Sequence, residues 1–305
     1  MPNHLRTTAS VVAVSALSLV IVACSGGGAS PSPQSSGGPT GAPSGSPSAV
    51  PVGAIDHKTG ATDVVLRYEE GGGFMIAAFA ATMVPHFTLY GDGTIVFRDP
   101  SEEGPPAIGS VFRMGPMKMA KLSEEQVQDL LELALDQGGL AQARPEYSND
   151  MVADASTAIF TVNAGGATKT VSIYALGIEA PGVADGPARA AFLGLAQTLT
   201  KIDEGGIVTP STYEPTAYRG ILMDSPGVVA PDIRTWPWPD IKTTDFVIDP
   251  DPNGRQLPVR AMTVAEIEAL GIGEYSGGFQ NMLITGPDGK TYTFSLRPLL
   301  PDEKA

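Results

Sequence analysis

Cysteine is almost missing: Cys24 stands alone in 305 residues. No disulfide can form within the chain, so a folded domain has to rest on an apolar core. Histidine is nearly as scarce, with three residues. His4 lies at the extreme N-terminus and His57 where a linker ends, which leaves His86 alone in the globular part. A zinc site or a histidine-based triad needs more than one imidazole, or a recognisable helper. His86 therefore reads as an ordinary residue on the polar face of a strand. Neither Gly-x-Ser-x-Gly nor Ser-x-x-Lys occurs, and no thiol remains beyond Cys24. Positive charge is also in short supply, 19 Lys+Arg against 33 Asp+Glu, a net charge of −14. Such a surface repels phosphate backbones and anionic head groups, which argues against nucleic acid as a partner.

Long hydrophobic runs are missing too. The longest, Ala9 to Ala23, is about 15 residues, short of the roughly 20 needed to span a bilayer. That length suits a signal-peptide core, preceded here by Met1–Arg6 with its single basic side chain. The run ends in Ile21-Val22-Ala23-Cys24, which resembles the bacterial lipoprotein signal. The resemblance implies that residues 1–23 are cleaved and that Cys24 carries a diacylglycerol thioether and a further acyl chain. Two or three chains, at about 0.8 kcal/mol per buried methylene, hold firmly where one is marginal. The expected location is the extracytoplasmic face of the cell membrane, with the membrane itself as one partner.

Residues 24–60 read as a disordered tether. From Ser25 to Pro51 there are 8 Ser, 7 Gly and 6 Pro and no charge, too little apolar area to offset the cost of ordering. The folded part divides at a change of texture, residues 61–204 and a proline-rich 205–305.

In the first part, Asp63–Glu69 reads as a strand. Pro85–Tyr90 and Thr94–Arg98 form a hairpin across Gly91-Asp92-Gly93, with the alternation of a half-buried strand. Glu124–Gln137 is an amphipathic helix with a Ser123/Gln126 capping box and a Gly138-Gly139 stop. A hairpin follows, Ser156–Asn163 and Thr168–Ala175, and then a helix, Ala188–Ile202, with Phe192, Leu195, Leu199 and Ile202 on one side. Beyond residue 205 the expectations are an isolated strand near Ala217–Met223, a short capped helix at Val264–Leu270, and a closing hairpin, Phe279–Thr285 with Lys290–Leu296. Hairpins with helices inserted between them predict an α+β fold, mainly antiparallel sheet with two or three amphipathic helices packed on it.

Two blocks, Leu66-Arg67-Tyr68-Glu69-Glu70-Gly71-Gly72-Gly73-Phe74 and Pro85-His86-Phe87-Thr88-Leu89-Tyr90-Gly91-Asp92-Gly93, resemble uncharacterised secreted lipoproteins of actinobacterial type. The similarity covers most of the chain after the tether and implies no activity.

Motifs of chemistry are few. Gly71-Gly72-Gly73 could present amides to an anion, but without a nucleophile it reads as a sharp turn. Gly271-x-Gly273-x-x-Ser276 follows a helix, the wrong order for a dinucleotide fingerprint, and Gly289-Lys290-Thr291 lacks the upstream glycine of a phosphate loop. Asp150 and Asp154 are spaced i,i+4 in a stretch with no helical pattern. Asp249, Asp251 and Asn253, with Gly254 after them, match the first oxygen ligands of a calcium loop, making Ca2+ the one cofactor in view. Its twelfth position, normally Glu, is Arg260, and a plain turn fits the same residues. Trp236-Pro237-Trp238 holds both tryptophans. Its rings are expected on opposite sides, one plugging the core and the other open to a flat ligand such as a sugar or peptide. Together these readings favour a non-enzymatic binding or envelope-assembly module whose partner is an envelope protein or a glycan. The alternative is a cell-wall hydrolase using a carboxylate pair, which calls for two acids in one cleft with one pKa raised.

Overall fold

Glycine pairs and alternating apolar residues fold this chain back on itself again and again. The computed structural model describes residues 54–178, 183–250, 256–272 and 277–304. Cys24 and the Ser/Gly/Pro stretch lie outside them, as do Asp251 and Asn253. In chain order, β1 (Val64–Gly71) leads through α1 (Ala77–Ala81) to β2 (Phe87–Tyr90) and β3 (Thr94–Phe97). A long arm carries β4 (Phe112–Arg113) and returns as β5 (Lys118–Lys121). Then come α2 (Glu124–Glu132), β6 (Glu146–Tyr147), β7 (Thr157–Ala164), β8 (Ala167–Tyr174), α3 (Gly186–Thr200) and β9 (Ser211–Thr212). The remainder is β10 (Ala217–Asp224), β11 (Arg234–Thr235), β12 (Val247–Pro250), β13 (Gln256–Thr263), α4 (Val264–Glu268), β14 (Phe279–Thr285) and β15 (Thr291–Pro298).

These strands make two mostly antiparallel sheets, an α+β fold. The first has the order β6-β8-β7-β1-β2-β3-β5-β9 and the second β11-β14-β15-β10-β13-β12, with β4 added to β14. β6–β8 and β11–β14 are parallel pairs. The two parts of the chain exchange strands: β4 joins the second sheet, and β9 pairs with β5 of the first.

Local chemistry explains the elements that were legible. At the start of α2 the Ser123 hydroxyl accepts from the Gln126 amide, and the Gln126 side chain accepts from the Ser123 amide. Val127, Leu130, Leu131 and Ala134 turn inward. The last turn, Leu133–Gln137, widens to a π-helix before Gly139 ends it at φ 74°. The β7–β8 turn needs positive φ at both central residues, and Gly165 and Gly166 supply 62° and 73°.

Packing departs from expectation in three places. β2 is buried along its whole length instead of alternating. Phe87 and Leu89 pack under α2 and α3, while Tyr90 joins Val96, Met117, Tyr213 and Leu300 in a separate apolar cluster. A strand covered on both faces has no polar side, so the half-buried pattern fails there. β10 does not stand alone but is central, between β13 and β15. Its partner β13 was masked by Pro258, which sits where β13 pairs with the edge strand β12. The packed chain also begins before residue 61. Ile55 exchanges two backbone hydrogen bonds with the Gln128 side chain, at 2.7 and 3.1 Å, and His57 bridges to Ala164.

The molecule is layered. Helices α2 and α3 cover the first sheet over the largest apolar cluster. The second sheet is covered by α4 and the Trp236–Trp238 segment over a cluster centred on Phe294 and Phe279. Between the sheets much of the contact is polar: Arg67 of β1 binds Asp302 at 2.7 Å, and Arg297 of β15 binds Glu303 at 2.5 and 2.7 Å. Among the described residues no helix is long and apolar enough to cross a membrane.

Candidate ligand-binding site

Six strand ends of the first sheet meet at one rim, where β1, β3 and β8 stop and β2, β5 and β7 begin. Two connections leave from this rim. The β1–β2 connection turns at Gly72 and Gly73, both with φ 74°, and carries α1. A Cβ on Gly73 would lie 3.1 Å from the Ala155 backbone, and the next amide, Phe74, donates to the Asp154 carbonyl. The glycine run is therefore a turn, as read. The β3–β5 arm crosses to the second sheet, where Met114 N donates to Gly278 O at 3.1 Å. Between rim, α1 and arm lies a cleft of about 770 Å³. Its apolar wall is Met75, Phe79, Met83, Phe112, Met114 and Met117. A smaller cavity of about 250 Å³, between the sheets, shares Glu70, Met75 and Met83 with it.

His86 enters the cleft wall from the start of β2. Its amide donates to Tyr68 O and its carbonyl accepts from Arg98 N, both at 2.9 Å. Far from standing on a polar face, it is 4% exposed, with its ring 5.4 Å from that of Tyr68. Nδ1 has no hydrogen-bond partner among the described residues. Burial first, then the adjacent Arg98 guanidinium, hold the imidazole neutral and push its pKa down to about 4. Arg98 is desolvated enough to lower its own pKa, and its Nε is likewise unpartnered.

This sets a pH dependence. The unfolded histidine, near 6.5, binds a proton that the folded ring refuses until about 4. His86 thus contributes nothing adverse above pH 6.5, and stability falls as pH drops through the window from 6.5 to 4. The loss at the bottom is about 3 kcal/mol. Urea unfolding across this range should show it, and His86→Gln should remove most of the slope. An unchanged slope in that variant would mean that the imidazole is not shielded.

Of the four carboxylates lining the cleft, Glu103 is exposed and the other three are engaged. Glu70 accepts from Tyr68 OH at 2.5 Å and from Ser156 Oγ at 3.2 Å. Asp99 accepts twice from Ser101, at 2.6 and 2.8 Å, and Glu102 accepts from Lys118 at 2.6 Å.

Other sequence candidates fall elsewhere. Trp236 and Trp238 are on the same side of their segment, edge to face with centroids 5.0 Å apart. The expectation of opposite sides is corrected by elementary geometry: in extended chain, residues i and i+2 share a side. Trp238 is 4% exposed and Trp236 half-buried, and each indole N–H is bonded internally, to Glu266 O and Ile241 O. The calcium-like run falls in the β12–β13 hairpin, with Asp249 opposite Leu257, while Asp251 and Asn253 lie outside the described residues. Arg260, at the last ligand position, is on β13 and binds Glu266 at 2.8 Å. Among the described residues no group of three or more His, Cys, Asp or Glu is placed to hold a metal. Asp154 adopts φ 59°, and its stretch is turn rather than helix. Cys24 lies outside the described residues.

Sequence reasoning missed Arg98 as a site residue and missed the four methionines. They come from three separate segments with no shared spacing. The one available signal was the concentration of Met and Phe in connections, at Phe74-Met75 and Met114–Met117, where polar residues are the rule. Compared with family models, curated proteins and solved structures, the chain matches none.

Proposed function

We propose that this protein is a lipid-anchored extracytoplasmic binding protein, held to the membrane through Cys24 and presenting the rim cleft to a ligand of the envelope. One observation carries the binding half of this reading: a cleft of about 770 Å³ with an apolar wall and a lining guanidinium, Arg98, that no carboxylate among the described residues binds. Ligand sites have this character, mostly apolar with a few placed polar groups. The anchor rests on the sequence, Ile21-Val22-Ala23-Cys24 followed by an uncharged spacer.

Both halves have direct tests. Mass spectrometry of the mature N-terminal peptide should find Cys24 acylated, and Cys24→Ala should leave the membrane fraction. An unmodified Cys24 would end the anchor reading. Native mass spectrometry of protein purified from its own envelope should find a bound small molecule. Thr212→Trp, at an exposed position on the cleft wall, should lose it while keeping the wild-type melting temperature. An empty wild-type protein, or equal loading in the variant, would defeat the cleft reading.

A second reading has one observation in its favour. In the inter-sheet cavity burial raises the pKa of Glu69, while Arg297 draws that of Glu303 down against its own burial. Divergent carboxylates are what a hydrolase pair requires. Against it, both Glu303 oxygens are held by Arg297, and one also accepts from the Leu300 amide at 2.8 Å. That geometry suits a latch better than a base. Turnover of a wall glycan or peptide, lost in Glu69→Gln, would reverse the preference.

A further inference from the structure

The two buried, unpartnered nitrogens behind the cleft wall, His86 Nδ1 and Arg98 Nε, belong to one another's neighbourhood. Arg98 and His86 follow the paired residues Phe97 and Phe87 outward, and the backbone hydrogen bond between them closes the ladder at the rim. Among the described residues neither is hydrogen-bonded to a carboxylate, although Glu70 and Asp99 lie near His86 and the exposed Glu103 also lines the cleft. Glu70 is held by Tyr68 and Ser156, Asp99 by Ser101, and Glu102 by Lys118. The polar contact of the Arg98 guanidinium is a thioether, Met114 Sδ, at 3.9 Å. A cation taken from water normally has a carboxylate or several good acceptors. Here the guanidinium lines the open cleft with no such partner among the described residues, and its Nε is closed off from water. The apolar part of that space is lined chiefly by Met75, Phe79, Met83, Met114 and Met117. Thioether side chains adapt their shape to irregular apolar ligands.

Resting on the binding role proposed above, we infer that the cleft takes an anion with an alkyl tail. The carboxylate head pairs with the Arg98 guanidinium where it lines the cleft, and the tail lies along the methionines. The imidazole beside the guanidinium is kept neutral and adds no charge of its own. The same methionines and one imidazole are also soft donors of the kind that hold Cu(I). The guanidinium beside His86 opposes any cation there, so charge selects the anion.

The test uses the mature chain carrying Cys24→Ala, titrated by calorimetry with dodecanoate, octanoate, dodecyl phosphate, dodecylamine and dodecyl maltoside below micelle formation, and separately with Cu(I). Dodecanoate should bind one per chain, and shortening to octanoate should cost up to about fourfold per methylene. The amine and the maltoside should bind at least roughly tenfold more weakly, as expected when a charged hydrogen bond is lost. Dodecyl phosphate distinguishes the head group: tighter binding than the carboxylate would assign the site to a phosphate-headed amphiphile of the same class. Arg98→Met should weaken dodecanoate roughly ten- to a hundredfold and leave the maltoside unchanged. If that variant fails to fold, the comparison of wild-type probes decides alone. Equal binding of anion, amine and maltoside would overturn the head-group inference and leave the cleft standing as a site. So would binding of none of them while native protein still carries a ligand that Thr212→Trp loses. Cu(I) bound tightly and lost in His86→Gln would replace the inference outright.

Discussion

Replacing Trp238 by Ala should destabilise the protein by about 3–5 kcal/mol, whereas Trp236→Ala should cost about half as much or less. The difference follows from what each ring touches. Trp238 is buried against Phe294 at 5.3 Å between centroids, and Phe294 in turn meets Phe246 and Phe279 at 6.1 and 5.7 Å. Removing the indole opens a cavity at the middle of this aromatic group and also strips the Glu266 carbonyl of its donor, 2.7 Å away. That carbonyl belongs to the first turn of α4, so the helix loses its hydrogen bond to the tryptophan segment. The site cannot collapse easily, because Gly220 lies directly beneath Phe294, with 2.9 Å to the place its missing Cβ would occupy. Trp236 instead caps the group from the edge, over Phe246 at 6.2 Å, and is half-open to water. Equilibrium urea unfolding of the two variants measures the contrast, and iodide quenching of single Trp→Phe variants checks the exposures. Equal costs and equal shielding would show both rings to be interior.

Asp302→Ala should cost about 3–5 kcal/mol, a large effect for an acid in a C-terminal tail. Asp302 Oδ1 accepts from Arg67 Nη2 and from Tyr90 OH, each at 2.7 Å. Arg67 is on β1 and Tyr90 on β2, so a single carboxylate ties the end of the chain to the middle of the first sheet. Burial weakens the charge of Arg67, but Asp302 more than compensates, and its pKa lies above the ordinary value. Truncating the acid leaves the guanidinium, its side chain 17% exposed, without its partner, and leaves the hydroxyl of a fully buried tyrosine unsatisfied. Most of the expected loss comes from these stranded groups rather than from the pair itself. For that reason the double replacement Arg67→Met with Asp302→Leu should recover part of the stability. Should the single variant unfold at wild-type urea concentration, the C-terminal tail would not be a latch. The same tail places Leu300 in the apolar cluster with Tyr90 and receives a hydrogen bond from Tyr213 OH at the Leu299 carbonyl.

Local chemistry made a good part of this architecture legible. Capping boxes at Ser123 and Thr263, glycines at the tight turns, and the 3.6-residue stripe through Leu130 and Leu131 act within a few residues. Their free energies barely depend on distant chain, so sequence alone determined α2, α4, the three hairpins and the α+β class. It also excluded a disulfide within these 305 residues. Only the tertiary structure decided what lay opposite each strand. β2 reads as half-buried because its own pattern cannot show that a second layer covers its other face. β13 and the short strands β4, β9 and β11 carry little pattern of their own and are strands because a neighbouring edge supplies hydrogen bonds.

The candidate site belongs wholly to that second category. His86 is polar by type, and its local alternation points it to solvent. The folded chain buries it, because two connections separated in sequence close over the same sheet rim. Arg98 acquires its unusual state the same way, from acids that turn to other donors and from methionines brought by three segments. Such convergence is a property of long-range contacts, where burial removes water from a charge without any residue near it in sequence recording the event.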